Sequence, residues 1–337
     1  MKAVYFEAHG DLSVLRYGDV PTPEPAPGWV QLKVRATSLN HADLFSRRGM
    51  PGIKVQLPGI TGMDCVGEIS KLGEGVSGWR VGQRVLPLPH HVDWETGRFD
   101  MLGENRNGAM AEYCVVRQEQ LLALPDAVSD EDAACLPCAY GTAHRMLFTR
   151  GQVKSGESVL VLGASGGVGN ACVLLARQAG CRVYAAAGGA DKCRKLLELG
   201  AHEALDYSST AIDRWVKERT GSLLRGGGMD VVVNFTAGDT WAPSIRCVKR
   251  FGRLLCCGGH GGYSAATDIP YLFMSEMTIV GSTGWTMDDQ RACVELVRTG
   301  AIRPPIDRVV PLAEAIEAVR DFEERRFFGK VVIRVGS

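Results

Sequence analysis

The stretch Val159-Leu160-Val161-Leu162-Gly163-Ala164-Ser165-Gly166-Gly167-Val168-Gly169-Asn170-Ala171 reads as an apolar strand that runs into a glycine turn and opens a helix. Ala164, Gly166 and Gly169 stand at the three fingerprint positions of a dinucleotide-binding turn, with Ala replacing the first Gly. Small residues there permit the tight turn, let the backbone approach a pyrophosphate and let the helix pack on the strand. The helix N-terminus then offers N–H groups to the phosphates. Ser165, Gly166, Gly167, Val168 and Gly169 are the candidate phosphate-binding residues.

Outward from this turn, strand-like runs alternate with amphipathic helical stretches. The runs are Ser158–Gly163, Cys181–Ala187, Ala204–Tyr207, Val231–Phe235, Arg253–Gly258 and Thr278–Gly281. Six such strands with intervening helices imply an α/β domain with a doubly wound parallel sheet of Rossmann type. The second strand bears on which cofactor the turn serves. A site for NAD places Asp or Glu near the end of that strand, on the ribose hydroxyls. Here the chain reads Ala187-Gly188-Gly189-Ala190-Asp191-Lys192-Cys193-Arg194, with no acid at the strand end and Asp191 read as a helix N-cap. Gly188 leaves room for a 2′-phosphate, and Lys192 and Arg194 can donate charge-assisted hydrogen bonds to it. The expectation is NADPH; a solvated helix face is the other reading of Lys192 and Arg194.

Before the sheet, the texture differs. Val30–Ala36, Cys65–Ser70 and Arg84–Leu88 read as short strands, and Gly and Pro punctuate them at Pro21–Gly28 and Gly73–Gly78. This predicts an irregular, barrel-like β domain. Near the C-terminus Leu312–Arg325 is helical in pattern, and Lys330–Val335 reads as a strand that rejoins the first domain. The expected division is a catalytic β domain at 1–127, a cofactor domain at 128–270 and a return to the first at 271–337. A chain of 337 residues suits two domains.

Lys+Arg and Asp+Glu are both 38, so charge gives no reason to expect a nucleic-acid partner. Apolar runs are strand-length, far below the roughly 20 residues that span a bilayer, so no membrane segment is expected. Met1–Phe6 reads as a strand rather than a signal peptide, and a cytoplasmic location is the expectation. The 11 cysteines, Cys172, Cys181, Cys256 and Cys257 among them, read as reduced thiols in apolar settings. Cys135 and Cys138 alone have redox or metal spacing, read as incidental.

Several segments together resemble the medium-chain dehydrogenase/reductase superfamily over essentially the whole chain. They are Ser38-Leu39-Asn40-His41-Ala42-Asp43-Leu44, Pro58 to Glu68, Gly108 to Tyr113, Gly141-Thr142-Ala143, the glycine turn, and Phe328-Gly329-Lys330-Val331. The resemblance implies a GroES-like first domain, and it is nearest to the zinc-independent quinone oxidoreductase-like branch. Zinc-dependent members hold a catalytic metal with Cys, His and Cys beside a Glu. The matching positions here carry Asn40, Met63 and Cys138, with Asp64 at the Glu. One thiolate does not make the three protein ligands an open zinc site needs. The stretch matching the family's four-cysteine structural lobe, about His90 to Arg106, has no cysteine, and His90-His91 reads as surface loop. No metal is expected.

Without zinc to make an alkoxide accessible, a more willing acceptor is favoured: a quinone or a conjugated enone or enal. The resemblance points to Asn40 and Thr142 as catalytic candidates, on substrate and nicotinamide, with a local turn amide and a helix-cap hydroxyl as their structural readings. It points to Tyr207, Gly258 and Lys330 as cofactor contacts at the adenine side, the sheet edge and the C-terminal strand. Relatives carry a Tyr where this chain has Phe45, so a phenolic proton donor is missing and solvent is left to deliver the proton. His41 and Asp43 read as structural. Phe45, Met50, Met63, Trp94, Phe273 and Trp285 are candidates to line an apolar cleft between the domains for a small hydrophobic substrate. Two other readings stay open: a zinc-free alcohol dehydrogenase and a non-catalytic NADPH-binding protein. The resemblance also implies a homodimer, through edge pairing near Thr278–Gly281.

Overall fold

The computed structural model describes residues 1–49, 54–93 and 97–336. Six parallel strands form around the glycine turn, in the order Glu203–Asp206, Arg182–Ala187, Ser158–Leu162, Met229–Val233, Val248–Cys256, Thr278–Gly281. The strand order reverses between Ser158–Leu162 and Met229–Val233, the switch point beside which open α/β sheets bind ligands. Helices cover both faces, so these strands are apolar on both sides rather than alternating. Val159, Leu160 and Val161 are fully buried, as are Val231, Val232 and Val233. Leu160, Leu162, Tyr184, Val232 and Leu254 share one core cluster with Ile212, Trp215 and Val216 of the helix Ile212–Thr220. Trp215 closes that cluster; Tyr184 meets its ring edge-on at 6.0 Å and the Arg219 guanidinium lies 4.0 Å from its centroid.

In the other unit the longest strand is Trp29–Ser38. It pairs antiparallel with Val66–Leu72 along one edge. Along the other it pairs with Tyr113–Arg117 near its start and with Lys330–Arg334 at its end, and Ile306–Pro311 adds in parallel to the latter. The C-terminal strand therefore does return to the first domain. The helix expected at Leu312–Arg325 is a short turn, Leu312–Glu314, followed by Ala315–Glu323. Val30, Leu32, Ile69, Val116, Val331 and Ile333 form the core of this unit.

The two compact units are Met1–Ala139 with Thr286–Ser337, and Tyr140–Trp285. Both expected boundaries thus lie too early, at 127 and 270. Residues after 127 are held to the β unit by ion pairs: Asp130 with Arg35 and Arg84, both at 2.6 Å, and Glu131 with Arg334 at 2.7 Å. The second boundary moves because Thr278–Gly281 is the sixth strand of the parallel sheet. His90-His91 is not loop: His90–Asp93 pairs with Arg98–Met101 as a hairpin. Met50 and Trp94 lie outside the described residues. Among the described residues no helix is long and apolar enough to cross a membrane. All 11 cysteines are free thiols.

Candidate functional site

The glycine turn is built to receive a phosphate. Gly163 has φ 64°, the left-handed bend that lets the chain leave Ser158–Leu162 sharply. A Cβ at Gly169 would lie 2.4 Å from Gly163 O and 2.6 Å from Ala164 Cα, so only glycine lets the helix Gly167–Gln178 sit this close to the strand. At Gly166 the nearest atom to an added Cβ is Gly163 O at 3.9 Å, leaving an open cradle above it. Gly166 is also the helix N-cap and has no side chain to cap it. The first-turn N–H groups of Gly167, Val168 and Gly169 have no intrahelical acceptor by geometry. Asn170 Nδ2 donates to Ala164 O at 2.6 Å, and the Ala164 N–H to Ala186 O at 2.9 Å, which clamps the turn to the second strand. These residues fit the pyrophosphate of a dinucleotide. Ser165 lies on the same turn.

The second strand ends in Gly188-Gly189, with Gly189 at φ 93°. An acid does stand there, but it comes from the neighbouring strand. The register places Asp206 beside Ala187, and Asp206 Oδ1 accepts the Gly189 N–H at 2.9 Å. Hydrogen bonds from the Ser208 hydroxyl, then from the backbone N–H groups of Gly189 and Ser208, hold its carboxyl below the usual range. Local sequence reading around the second strand missed this residue; the signal was strand pairing. Tyr207, half-exposed, brings ring atoms to 3.3 Å from where a Cβ at Gly188 would stand. Lys192 is in the first turn of the helix Ala190–Leu199. Asp191 is not the N-cap, which is Gly189; its carboxylate pairs with Arg194 and, at 3.2 Å, with Lys195. Arg194 is a correction too, since its guanidinium is held by Asp191 and by Glu198 at 2.7 Å on its own helix face. Gly188, Tyr207 and Lys192 are brought to one end of the sheet; Arg194 is not offered to a ligand there.

A second polar cluster lies in the β unit and follows from register. The pairing Val332↔Ser38, continued by two residues, sets Lys330 opposite Asn40. The pairing Ala36↔Val66, continued likewise, sets Asp64 opposite Ser38. All four are buried. Asp64 Oδ2 accepts from Ser38 Oγ at 2.5 Å and Asn40 Nδ2 at 2.8 Å, and Lys330 Nζ lies at 3.2 Å. Asp64 Oδ1 accepts the Cys138 N–H at 2.8 Å. Lys330 Nζ also donates to Asn40 Oδ1 at 2.7 Å and Leu39 O at 3.0 Å. Burial alone would lower the Lys330 pKa, but the Asp64 carboxylate outweighs it and holds the ammonium above its ordinary value.

Two expectations change here. Lys330 is not a cofactor contact, because its three donors are taken by Leu39, Asn40 and Asp64. Asn40 is not aimed at a substrate: Nδ2 donates to Asp64 and, at 3.2 Å, to Ser38 O, while Oδ1 accepts from Lys330. The donor set does not fit a tetrahedral zinc either. An amide, a thioether and one thiol stand at the ligand positions, beside an ammonium already paired with the acid. Among the described residues no group of three or more His, Cys, Asp or Glu is placed to hold a metal ion.

Asp43 shapes the same region. Its carboxylate accepts from the N–H groups of Asn40 at 2.8 Å, Gly62 at 2.9 Å and Met63 at 3.2 Å. Burial pushes its carboxyl up to about 6, against the pull of those N–H donors. A raised value means that its contribution to stability is fully present below pH 4 and is lost as pH rises through about 6. Asp43→Asn puts an NH2 against a backbone donor. We expect it to cost about 1–3 kcal/mol near pH 5 and less near pH 8, read by urea unfolding. A cost that grows toward pH 8 would reverse the assignment. His41 packs on Phe322 with ring centroids 5.0 Å apart.

Thr142 lies in the cofactor unit, half-buried, and among the described residues its hydroxyl has no hydrogen bond. Gly258 follows the fifth strand and lines an 820 Å³ cavity with Arg145, Arg150, Trp241 and Tyr263. Met63 and Trp285 are core residues, Trp285 against Gly141, while Phe273 is exposed and absent from this cavity wall.

Residues 26–126 match the alcohol dehydrogenase GroES-like domain, and residues 167–299 the zinc-binding dehydrogenase family. The quinone oxidoreductase of Pseudomonas aeruginosa is 30% identical over 345 residues, covering 98% of this chain and 99% of that protein. The chain belongs to the medium-chain dehydrogenase/reductase superfamily. Among solved structures, an NAD-dependent alcohol dehydrogenase is 34% identical, with a TM-score of 0.92 and full coverage of both chains. The 2-octenoyl-CoA carboxylase reductase CinF from Streptomyces, in complex with NADP and 2-octenoyl-CoA, is 30% identical. That match has a TM-score of 0.89 and covers 99% of this chain and 87% of CinF. As a member of this superfamily the chain is an oxidoreductase of nicotinamide-cofactor type. Its glycine cradle is where family and geometry agree.

Proposed function

We propose that this dehydrogenase-family chain uses NADPH to reduce a quinone or an α,β-unsaturated carbonyl compound, with no catalytic zinc. The observation that carries the zinc-free reading is the Lys330–Asp64–Asn40 cluster, which fills the metal locus with a paired ammonium. Bound at the glycine turn, the cofactor supplies a hydride. The chain's own residues hold the phosphates at Gly166–Gly169 and leave the Thr142 hydroxyl half-buried and without a partner among the described residues. With Phe45 where a tyrosine would stand, the proton comes from solvent. Relatives acting on quinones and on an enoyl thioester support an activated acceptor.

Lys192 supports NADPH, being a cation in the first turn of the helix that follows Gly188-Gly189. Lys192→Ala is expected to weaken NADPH by about 1.5–3 kcal/mol and NADH hardly at all. Arg194→Ala should leave both within about a factor of two, since it removes only exposed pairs. Titration of both cofactors into each variant decides it, and equal losses for NADPH and NADH would sink the assignment. Asp206, hydrogen-bonded to Gly189 at 2.9 Å, favours a second reading in which its carboxylate takes ribose hydroxyls and NADH is the cofactor. That reading expects Asp206→Asn to weaken NADH more than NADPH.

The assay follows NADPH and NADH oxidation with a quinone, an enone and an enal, with and without chelator. Chelator-resistant NADPH turnover on any of these acceptors upholds the proposal. Activity lost to chelator, or oxidation of alcohols alone, overturns it. We also propose a homodimer through the sheet edge: Thr278–Gly281 is an outer strand, Ile279 is exposed, and Ile269, Phe273 and Met274 are exposed on the preceding helix. A monomeric mass in solution would refute it.

A further inference from the structure

Two thiols of the β unit meet in its core. Cys65 Sγ and Cys114 Sγ lie 3.7 Å apart, and both residues are buried. Cys65 directly precedes the strand Val66–Leu72, and Cys114 lies on Tyr113–Arg117, which pairs with the opposite edge of Trp29–Ser38. The segments leading to the two thiols are already joined: the Ala109 N–H donates to Gly62 O at 2.8 Å and the Met110 N–H to Thr61 O at 2.9 Å. A disulfide brings its sulfurs to about 2.05 Å, a short step for side chains on segments held together in this way.

The surroundings carry an excess of positive charge. Asp100 lies 3.5 Å from Arg106 Nη1 and 3.8 Å from Arg117 Nε, so one carboxylate faces two guanidinium groups. Among the described residues none of the three side-chain nitrogens of Arg106 has a hydrogen-bond acceptor, and all three are buried. Trp29 takes both guanidinium groups against its ring, at 4.8 and 4.7 Å, but brings no charge. Burial lowers the Arg106 pKa, and the groups that act against burial are Asp100 and then Cys114. Cys114 is therefore the thiol placed to answer the extra cation. Cys65 is not, because its hydrogen bond with Cys114, and then burial, raise its pKa well above the ordinary thiol value. A sulfur beside a guanidinium and a protonated thiol against it are the two halves of a disulfide-forming pair.

We propose that Cys65 and Cys114 form a peroxide-oxidisable dithiol, with Arg106 as the positioning residue whose guanidinium favours the Cys114 thiolate. Hydrogen peroxide suits a buried pair, being uncharged and little larger than water. In the first step the Cys114 sulfur attacks one peroxide oxygen; the S–O bond forms, the O–O bond breaks and hydroxide leaves. In the second the Cys65 sulfur attacks the Cys114 sulfenic acid; the S–S bond forms, the S–O bond breaks, and the Cys65 proton leaves with that oxygen as water. The two sulfurs lose two electrons in all, and the peroxide takes them. The bond forms one residue from Asp64, the buried partner of Lys330. The inference does not depend on which acceptor the chain reduces.

The test exposes the whole protein to hydrogen peroxide, blocks the remaining thiols under denaturing conditions and maps the peptides by mass. The peptides of Cys65 and Cys114 should appear joined, about 2 Da lighter than the two thiol peptides together, and dithiothreitol should part them. In Cys65→Ser, dimedone should trap a sulfenic acid on Cys114; in Cys114→Ser, Cys65 should stay a thiol. Arg106→Gln should slow formation of the bond by about tenfold, and Arg106→Lys, which restores the charge, should recover most of the rate. Cys65 and Cys114 both still open to blocking after peroxide has oxidised the half-exposed Cys138 and Cys256 would overturn the dithiol. Equal rates in the parent protein and Arg106→Gln, or no recovery with lysine, would overturn the role of Arg106.

Discussion

Lys330→Met is expected to destabilise the protein by about 3–5 kcal/mol, the cost of leaving a buried charge without its partner. Asp64 is fully buried and Lys330 is 2% exposed, so neither can turn to water when the other is removed. Methionine keeps the length of the lysine stem and removes only the ammonium. Asp64 would keep its neutral donors, Ser38, Asn40 and the Cys138 N–H, and lose the cation at 3.2 Å. Asn40 Oδ1 and Leu39 O would lose their donor as well. The Lys330 pKa is raised, so the stabilisation is fully present below the ordinary lysine value and is lost only as pH rises through the higher folded one. At neutral pH the whole effect is visible. Asp64→Asn should cost a similar amount, and the double variant much less than the sum, because the two charges leave together. Urea unfolding of the four proteins measures this. Additive costs, or a Lys330→Met loss below about 1 kcal/mol, would show that the pair is not coupled. Affinity for NADPH should be nearly unchanged in the single lysine variant, in contrast with the cofactor contact that sequence resemblance implies.

The same cluster shows where sequence reading stops. Lys330 and Asn40 lie 290 positions apart, and no local pattern joins them; the antiparallel register of Lys330–Arg334 on Trp29–Ser38 does. Asp206 is a second case. Scanning the end of the second strand for an acid finds none, because the acid arrives from the third strand through hydrogen-bonded pairing. Arg194 failed for a related reason: a cation on a helix face is read as available until its acids at three and four residues' distance are seen to hold it. By contrast the parallel sheet was legible, since strands buried on both faces leave short apolar runs, and here these alternate with helical stretches and are bounded by glycine turns. The glycine turn was legible because its demands are steric and local. The barrel-like unit was legible only in outline, its boundary at Ala139 depending on ion pairs from Asp130 and Glu131 to distant arginines.

Gly166→Ala and Gly169→Ala should separate binding from folding within one turn. At Gly169 an added methyl meets Gly163 O at 2.4 Å and Ala164 Cα at 2.6 Å, both backbone, which no side-chain rotation relieves. The helix Gly167–Gln178 has to lift from the strand, at a cost near the upper end of the roughly 1–3 kcal/mol typical of overpacking. At Gly166 the nearest atom is 3.9 Å away and φ is −87°, which alanine adopts without strain. Stability there should hold or rise by about 0.4–1 kcal/mol, because alanine restricts the unfolded chain. The open space over Gly166 is the cradle itself, however, and a methyl group in it keeps phosphate oxygens from the N–H groups of the helix N-terminus. The loss of cofactor affinity should be about tenfold or more, for NADPH and NADH alike, since both carry the pyrophosphate. Thermal unfolding and titration of both cofactors, carried out on each variant, separate the two effects. A Gly166→Ala protein that binds both cofactors normally would move the phosphate site off this turn, and a Gly169→Ala protein as stable as the parent would mean the helix and strand can part without cost.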